Sequence, residues 1–173
     1  MATTVIVVMG VSGSGKTTIA GLLAARLGWQ LAEADTFHSP ANVAKMRSGV
    51  PLTDADREPW LDAIASWIDG VRATGSHGVV TCSALRRRYR ERLVRGRDDV
   101  RFVYLRGDYA LIAERIAERT HEYMPPSLLR SQFETLEEPG TDENPIVVAI
   151  GQPPEAIVEA VVAALGPDAA PRA

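Results

Sequence analysis

The chain has 173 residues, of which 46% are apolar and 24% charged, a composition typical of one folded domain. Its 19 basic and 22 acidic residues give a net charge of −3, which argues against a nucleic-acid partner. No apolar run is long enough to span a membrane, and the N-terminus lacks the basic segment and cleavage site of a signal peptide. The single cysteine, Cys82, excludes an internal disulfide and fits a reducing compartment, so we expect a cytoplasmic protein with no membrane partner.

Short β-branched runs alternate with longer helical patterns along the chain. We expect strands at Thr4–Met9, Trp29–Ala34, Gly78–Cys82, Arg101–Leu105 and Pro145–Ile150. We expect helices at Lys16–Leu27, within Pro40–Thr74, and at Ala84–Arg95, Tyr109–Thr120 and Pro153–Leu165. This alternation predicts an α/β fold with a five-stranded parallel sheet and helices on both faces. The domain is expected to cover residues 1–166, with 167–173 as a disordered tail.

One segment interrupts the alternation. The stretch from residue 119 to 144, with the lid at about 119–138, is too long for a simple connection, and its ends are polar and rich in proline and glycine. Pro125, Pro126 and Ser127 are typical of a helix start, which predicts a helix through Leu136. We interpret this segment as a mobile lid with a supporting helix.

The sequence GVSGSGKT, residues 10–17, stands between the first strand and the first helix and matches G-x-x-x-x-G-K-[ST] at every position. In this pattern, glycines let backbone N–H groups surround phosphate oxygens, and the helix N-terminus adds a favourable dipole. The lysine reaches the outer phosphates and the last hydroxyl ligates Mg²⁺. We therefore predict a bound nucleoside triphosphate, with Lys16 as catalytic cation and Thr17 as metal ligand. The predicted nucleotide-binding residues in this region are Gly10, Val11, Ser12, Gly13, Ser14, Gly15, Lys16, Thr17 and Thr18.

The position of the acid that faces this loop separates the kinds of nucleotide-binding protein. A regulatory GTPase would carry N-K-x-D, which is absent, and a motor ATPase would end an apolar strand in aspartate, where the third strand here ends in Cys82 and Ser83. The acid follows the second strand instead, as Asp35. A carboxylate there can orient an acceptor hydroxyl and take its proton, so we predict Asp35 as the base of a kinase. The alternative role is an N-cap for the helix near Pro40, and Glu33 is the weaker candidate base because it lies deeper in the sheet.

Basic side chains near the same edge of the predicted sheet indicate an anionic acceptor. His38 follows Asp35 by three residues, with a hydrogen bond to the acceptor and a cap of its own loop as open alternatives. Arg57 lies in the first turn of a helix that Thr53 or Asp54 is expected to cap. A cation is unfavourable at a helix N-terminus, which favours an anion-binding role for Arg57.

The arginine-rich helix after the third strand adds to this set. Leu85, Tyr89 and Leu93 form its buried stripe, and Arg86 and Arg90 form a second one. Most of the arginines are expected on a solvated face, but Arg86 lies near the carboxyl end of the strand and should reach the cleft. Arginine pairs well with carboxylate or phosphate, so Arg86 and Arg90 enter the predicted acceptor site. The acceptor is predicted to be a small hydroxylated anion.

Together these segments resemble the small P-loop gluconokinases of the thermoresistant type. The resemblance lies in MGVSGSGKTT, ADTFHSPANVAKMRSGVPLTDADREPWL, TCSALRRRYRERL, VRFVYLRGD and MPPSLLRSQFETLEEP, which cover most of the chain from residue 5 to about 140. The combination of D-x-x-H with D-A-D-R-x-P-W-L is far more specific than the phosphate loop. The resemblance implies a P-loop kinase fold like that of nucleoside monophosphate kinases, with ATP and Mg²⁺ as cofactors. It also implies transfer to the 6-hydroxyl of D-gluconate and a homodimer.

Carried over by position, the resemblance makes Asp35 the acceptor's base and places His38, Arg57, Arg86 and Gln132 around the sugar acid.

The same resemblance implies that Arg115 and Arg119 clamp the transferring phosphate, Arg115 as a nucleotide-binding and Arg119 as a catalytic residue. Their i, i+4 spacing places both on one helix face, where a solvated pair with Glu114 and Glu118 is the alternative. The lid departs from the usual G-H-F-M-P, because T-H-E-Y-M-P puts Glu122 in the histidine's place.

Three other functions remain alternatives at this point. A shikimate kinase would show D-x-D after the second strand, where this chain has Glu33-Ala34-Asp35. A nucleoside monophosphate kinase would show more lid arginines and a pocket that reads the base. A regulatory module that binds ATP without transfer is disfavoured by the presence of both Lys16 and Asp35.

Overall fold

The computed structural model describes residues 3–118 and 126–169. Five parallel strands form one sheet in the order β2-β3-β1-β4-β5. They are β1 Val5–Met9, β2 Gln30–Glu33, β3 Gly78–Thr81, β4 Val100–Arg106 and β5 Ile146–Ala149. The α/β prediction is confirmed, and every strand boundary lies within one residue of the predicted one.

The helices follow the predicted order. They are α1 Lys16–Leu27, α2 Pro40–Arg47, α3 Asp54–Ala73, α4 Arg87–Val94, α5 Tyr109–Glu118, α6 Pro126–Thr135 and α7 Pro154–Leu165. The helix predicted from Ala84 begins three residues later, because Ala84 has a left-handed backbone with φ 47°. The helix predicted inside the lid is α6, and residues 119–125 of the lid lie outside the described part of the chain. None of the described helices is long and apolar enough to cross a bilayer.

The sheet separates two apolar clusters. Along β1, Ile6 and Val8 belong to the cluster beneath α1 and α7, and Val5, Val7 and Met9 belong to the cluster beneath α3 and α4. Successive side chains of a strand point to opposite faces, so a central strand covered on both faces is apolar throughout. All five residues of β1 are fully buried, as the sequence predicted.

All five strands are parallel, so their carboxyl ends lie at one edge of the sheet. β1 leads there into residues 10–15, β2 into a 3-10 turn at Ala34–Phe37, and β3 into the connection to α4. Ligands of such sheets bind at this edge, so the order of the strands alone brings these three segments together.

The charged run on α4 is paired with acidic residues of α3. Arginines of α4 and the turn after it contact acids spaced along α3, and most of these side chains are partly exposed. The pairs join Arg88 to Asp54, Arg92 to Glu58 and Asp62, Arg95 to Asp62 and Asp69, and Arg97 to Asp69. The predicted solvated face is therefore an ion-paired surface between two helices.

The first three residues of the predicted tail form regular structure. Pro167–Ala169 form a 3-10 turn after α7, and Ala169 is buried with its N–H bonded to the Gly166 carbonyl at 3.3 Å. The prediction of disorder from residue 167 is therefore wrong for these three residues, because Ala169 packs against the domain. Residues 170–173 lie outside the described part of the chain.

Two neighbouring residues of α4 should affect stability very differently. Leu93 is fully buried, so Leu93→Ala should lower the free energy of unfolding by about 2–5 kcal/mol. Arg92→Gln should leave it close to the wild-type value, because exposed ion pairs contribute little. Urea unfolding followed by circular dichroism measures both, and equal losses in the two variants would contradict this account of α4.

Candidate active site

A cavity of about 560 Å³ lies at the carboxyl edge of the sheet. Its walls come from the loop between β1 and α1, the turn after β2, the segment from α2 into α3, the end of β3 and the helix α6. The size suits small-molecule ligands. The cavity therefore lies where parallel sheets bind their ligands.

The phosphate loop has the conformation that its glycines predict. Gly13 has φ 80°, and a Cβ there would lie 2.7 Å from Ile116 Cγ1 of α5. Gly15 has φ 97° and is the N-cap of α1, a left-handed conformation that favours glycine. The predicted residues that line the cavity are Ser12, Gly13, Gly15, Lys16, Thr17 and Thr18, while Gly10, Val11 and Ser14 are buried behind them.

Lys16 is folded back onto its own loop. Its Nζ donates to the carbonyls of Gly10 and Val11 at 3.0 Å each. Burial lowers the pKa of this amine to about 8, and the carboxylates of Asp35 and Glu33 act in the opposite direction. The ammonium is therefore positioned beside the predicted phosphate site, and its charge is more sensitive to pH than that of an exposed lysine.

Glu33 has a larger part in the site than the sequence predicted, where it was only the weaker candidate base. Its Oε2 accepts hydrogen bonds from Thr81 Oγ1 at 2.7 Å and Thr17 Oγ1 at 3.3 Å, and Thr81 Oγ1 accepts the Ala34 N–H at 3.1 Å. The sequence signal was the pairing of Glu33 with Thr81 on adjacent strands, which becomes visible only once β2 is known to pair with β3. A carboxylate and a hydroxyl side by side offer the oxygen ligands that Mg²⁺ prefers.

Asp35 lies in the 3-10 turn Ala34–Phe37, where it is exposed and lines the cavity. The turn is fixed by Trp60 Nε1, which donates to the Ala34 carbonyl at 2.8 Å, and by the His38 N–H on the Asp35 carbonyl at 3.3 Å. The alternative role of Asp35 as a helix cap is wrong, because Ser39 Oγ caps α2 by accepting the Asn42 N–H at 3.2 Å. The carboxylate is therefore left facing the cavity.

His38 stands against the indole of Trp60. The two rings are stacked, with centroids 4.2 Å apart and planes 11° from parallel. Burial lowers the pKa of His38 and Arg57 adds to that shift, while Asp35 opposes it, so the imidazole is neutral at pH 7. Its Nδ1 is buried and has no hydrogen-bond partner among the residues that the structure describes. The hydrogen-bonding capacity of this nitrogen is therefore unused within the described residues.

Arg57 lines the cavity from the first turn of α3. That turn is fixed by a capping box, in which Thr53 Oγ1 accepts the Asp56 N–H at 3.2 Å and Asp56 Oδ2 accepts the Thr53 N–H at 2.9 Å. Arg57 Nη1 donates to Tyr89 OH at 3.0 Å. The predicted cap is confirmed, and it holds a cation at the edge of the cavity.

The structure corrects the prediction for Arg90. Its side chain is 1% exposed, with Nε and Nη2 on the Glu143 carboxylate at 2.7 and 3.2 Å and Nη1 on the Ala84 carbonyl at 2.8 Å. Arg90 thus stabilises the left-handed turn at Ala84 and is turned away from the cavity. Arg86 is the half-buried N-cap of α4, and within the described residues it is Leu85, and neither arginine, that lines the cavity.

Gln132 reaches the site from α6, and its contacts are with the phosphate loop. Its Oε1 accepts the Ser12 N–H at 2.7 Å, and its Nε2 donates to Ser12 Oγ at 2.9 Å. Leu128, Ser131 and Thr135 of the same helix also line the cavity, which the sequence reasoning missed. These three residues lie on the same face of α6 as Gln132. The amphipathic pattern of the helix was therefore the sequence signal that could have identified them as cavity residues.

The two arginines predicted at the lid are only partly covered by the structure. Arg115 Nη2 donates to the carbonyl of Ile150, the residue after β5. Arg119 lies outside the described residues, as do His121 and Glu122.

The fold and this cavity define a P-loop kinase, and residues 5–139 match the family described as an AAA domain. The gluconokinase of Gluconobacter oxydans is 49% identical over 158 residues, which are 91% of this chain and 88% of that protein. The thermoresistant gluconokinase of Escherichia coli is 40% identical over 90% of each chain. The crystal structure of an unliganded sugar kinase from Janibacter sp. superposes with a TM-score of 0.90 at 46% identity and covers 98% of this chain and 99% of that one. The chain belongs to the gluconokinase family.

The pKa of Lys16 predicts a pH-dependent affinity for nucleotide. As the pH rises through 8 the amine of the free protein progressively loses its proton, and bound phosphates favour the ammonium, so binding takes up a proton. The Kd of a non-hydrolysable ATP analogue should be constant below pH 7, about double by pH 8, and then rise by up to about tenfold per pH unit. Isothermal titration calorimetry in buffers of different ionisation enthalpy counts the proton directly.

Lys16→Met is the control for this measurement. It should bind the analogue weakly and with no change in affinity over the same pH range. A wild-type Kd that is also constant up to pH 9.5 would show that Lys16 does not titrate there.

Proposed function

We propose that this protein transfers the γ-phosphate of ATP to the 6-hydroxyl of D-gluconate, giving 6-phospho-D-gluconate and ADP. The observation that carries the proposal is one cavity with a phosphate loop on one wall and Asp35, His38 and Arg57 on the other. The gluconokinase names of relatives that span almost the whole chain support the same acceptor.

The nucleotide half of the proposal rests on residues 10–18. The N–H groups of the loop and of the α1 N-terminus would hold the β- and γ-phosphates. Lys16 would turn from the Gly10 and Val11 carbonyls toward the phosphates, a short movement for a side chain already at the loop. Arg115, and Arg119 at the lid, would neutralise the charge of the transferring phosphoryl group.

The acceptor half rests on chemistry that matches a linear sugar acid. The Arg57 guanidinium would pair with the gluconate carboxylate. The unpartnered Nδ1 of His38 would bond a hydroxyl, and the apolar side chains of Leu52 and Trp60 would cover the carbon chain. Arg86 would turn from the N-cap of α4 toward the carboxylate, since Leu85 and not Arg86 lines the cavity.

Asp35 would act on the reacting hydroxyl. Its carboxylate would hold the 6-hydroxyl in line with the γ-phosphorus and accept its proton as the new O–P bond forms and the bond to the β-phosphate oxygen breaks. The free carboxylate oxygens of an exposed side chain over the cavity suit this task. The turn that carries Asp35 is held by Trp60, so the position of the base is set before the substrates bind.

Thr17 and Glu33 fit a magnesium ion. Their oxygens are 3.3 Å apart at the phosphate loop, and Thr81 orients the Glu33 carboxylate. In the described part of the chain, no three His, Cys, Asp or Glu side chains gather as a metal site, so phosphate oxygens and water would complete the coordination. When bound, the ion supplies charge that stabilises the phosphates during transfer.

We also propose a homodimer that acts in the cytoplasm. The dimer follows from the family resemblance and is tested by light scattering on the purified protein. The cytoplasm supplies ATP and keeps a buried free thiol such as Cys82 reduced.

Asp35→Asn should lower kcat for gluconate-dependent ADP release by roughly 10²–10⁴-fold, because the amide cannot take the proton. Affinity for an ATP analogue should stay near wild type, since Asp35 lies across the cavity from the phosphate loop. Asp62→Asn is the control, because Asp62 pairs with Arg92 on the outer surface. Full activity of Asp35→Asn would remove Asp35 as the base.

Glu33→Gln should raise the Mg²⁺ concentration for half-maximal activity by about tenfold, because a neutral amide is a poorer partner of the ion and its water. Glu58→Gln, which changes an exposed acid of α3 in the same way, should not alter it. When the Mg²⁺ titration is monitored through binding of the ATP analogue, the half-maximal Mg²⁺ concentrations of the variants should fall in the same order. An unchanged Mg²⁺ requirement in Glu33→Gln would place the ion elsewhere.

The choice among acceptors is tested by measuring ADP release with gluconate, other sugar acids, shikimate and nucleoside monophosphates. Gluconate should give the highest kcat/KM. Preference for shikimate or for a nucleotide would favour the corresponding kinase, and no transfer to any acceptor would favour a binding module.

A further inference from the structure

We propose that Tyr89 and Asp54 are positioning residues that fix the Arg57 guanidinium for the carboxylate of the acceptor. The inference rests on the proposed function, because it takes Arg57 as the residue that binds the acceptor's anionic end. Tyr89 entered the sequence analysis only as a member of the buried stripe of α4.

A chain of hydrogen bonds runs from the cavity wall to the surface. Arg57 Nη1 donates to Tyr89 OH at 3.0 Å, and Tyr89 OH donates to the Asp54 carboxylate. Arg88 donates to the other oxygen of the same carboxylate. The phenol oxygen therefore accepts a hydrogen bond from the cavity side, and its O–H donates one to a carboxylate. These two bonds fix the orientation of the O–H group.

The aromatic ring of Tyr89 adds a second constraint. The guanidinium carbons of Arg57 and Arg88 lie 5.4 and 5.6 Å from its centroid, within the range of cation–π attraction. Tyr89 is 5% exposed and belongs to the apolar cluster beneath α3 and α4, so its ring has little freedom to move. Arg57 is thus held by an oxygen and a ring that are both anchored in the core.

Two helices together define the position of Arg57. Asp54 and Arg57 are three residues apart on the first turn of α3, which the Thr53 capping box holds. Tyr89 projects from α4, and α3 and α4 pack together in one buried apolar cluster. The acid also offsets the unfavourable placement of a cation at a helix N-terminus.

This arrangement matters because arginine has many rotamers. A guanidinium already held in its binding orientation loses less conformational entropy when an anion binds. Tyr89 is not a cavity-lining residue and lies on the acceptor side, so its hydroxyl should influence the acceptor and leave the nucleotide unaffected.

The test is Tyr89→Phe, which removes one oxygen and keeps the ring. The KM for gluconate should rise by about tenfold, the size expected for a lost hydrogen bond to a charged group. The kcat, the KM for ATP and the melting temperature should change little. Tyr104→Phe is the matched control, because Tyr104 is 3% exposed in the same cluster and bonds Glu138 at 3.0 Å.

A double-mutant cycle separates positioning from general destabilisation. In an Arg57→Ala background, Tyr89→Phe should have no further effect on the KM for gluconate, because the group that it orients is gone. Additive effects would contradict the proposal. Asp54→Ala, which changes an exposed residue and leaves the core intact, should raise the same KM by about threefold, the lower end of the range for such bonds.

The outcomes distinguish the inference from the function on which it rests. Wild-type protein that releases ADP with gluconate, together with an unchanged gluconate KM in Tyr89→Phe, overturns the positioning role alone. Equal KM changes in Tyr89→Phe and Tyr104→Phe also overturn it. Wild-type protein that does not release ADP with gluconate overturns the proposed function and this inference with it.

Discussion

The hydrogen bond from the Trp60 indole to the Ala34 carbonyl, 2.8 Å long, is the interaction on which the acceptor wall depends. The same indole stacks on His38, and the same helix carries Arg57 one turn earlier. Trp60 itself is 6% exposed, so its position is set by the core beneath α3. One buried side chain of α3 therefore locates the turn that carries Asp35 and the imidazole of His38, on the same helix that carries Arg57.

The opposite wall depends on backbone conformation. Left-handed glycines shape the loop after β1, and the fully buried β1 fixes where the loop begins. Helix α6 and the residues after it contact two other segments of the cavity wall. Gln132 bonds Ser12 of the phosphate loop, and the Glu137 N–H donates to the carbonyl of Leu85 at 2.7 Å. The α6 segment of the predicted lid is therefore hydrogen-bonded to the phosphate loop and to the connection between β3 and α4.

Local pattern was sufficient to predict the sheet and the phosphate loop. Strands buried on both faces leave continuous apolar runs, and the loop motif is contiguous, so neither requires knowledge of distant contacts. Asp35 and Arg57 also follow local rules, an acid after a strand and a cation at a helix N-terminus. Their places on the cavity wall were therefore predictable from the sequence.

The remaining features depend on residues far away in the sequence. Arg90 is removed from the cavity by Glu143, which lies 53 residues later, and no helical periodicity reveals such a partner. Glu33 gains its place through Thr81, 48 residues away on the adjacent strand. The contact between Gln132 and Ser12 spans 120 residues. A single sequence contains these partners but does not indicate which of them meet.

The close approach of Gly13 to Ile116 has an evolutionary consequence. A Cβ at Gly13 would lie 2.7 Å from Ile116 Cγ1 and 3.2 Å from Ile112 Cγ2, in addition to the strain of φ 80°. Ile112 and Ile116 of α5 can therefore be replaced by larger side chains only if position 13 remains glycine. Substitutions in the nucleotide-binding loop are thus limited by the side chains of α5, and substitutions in α5 are limited by the loop. The two segments should therefore change together in evolution.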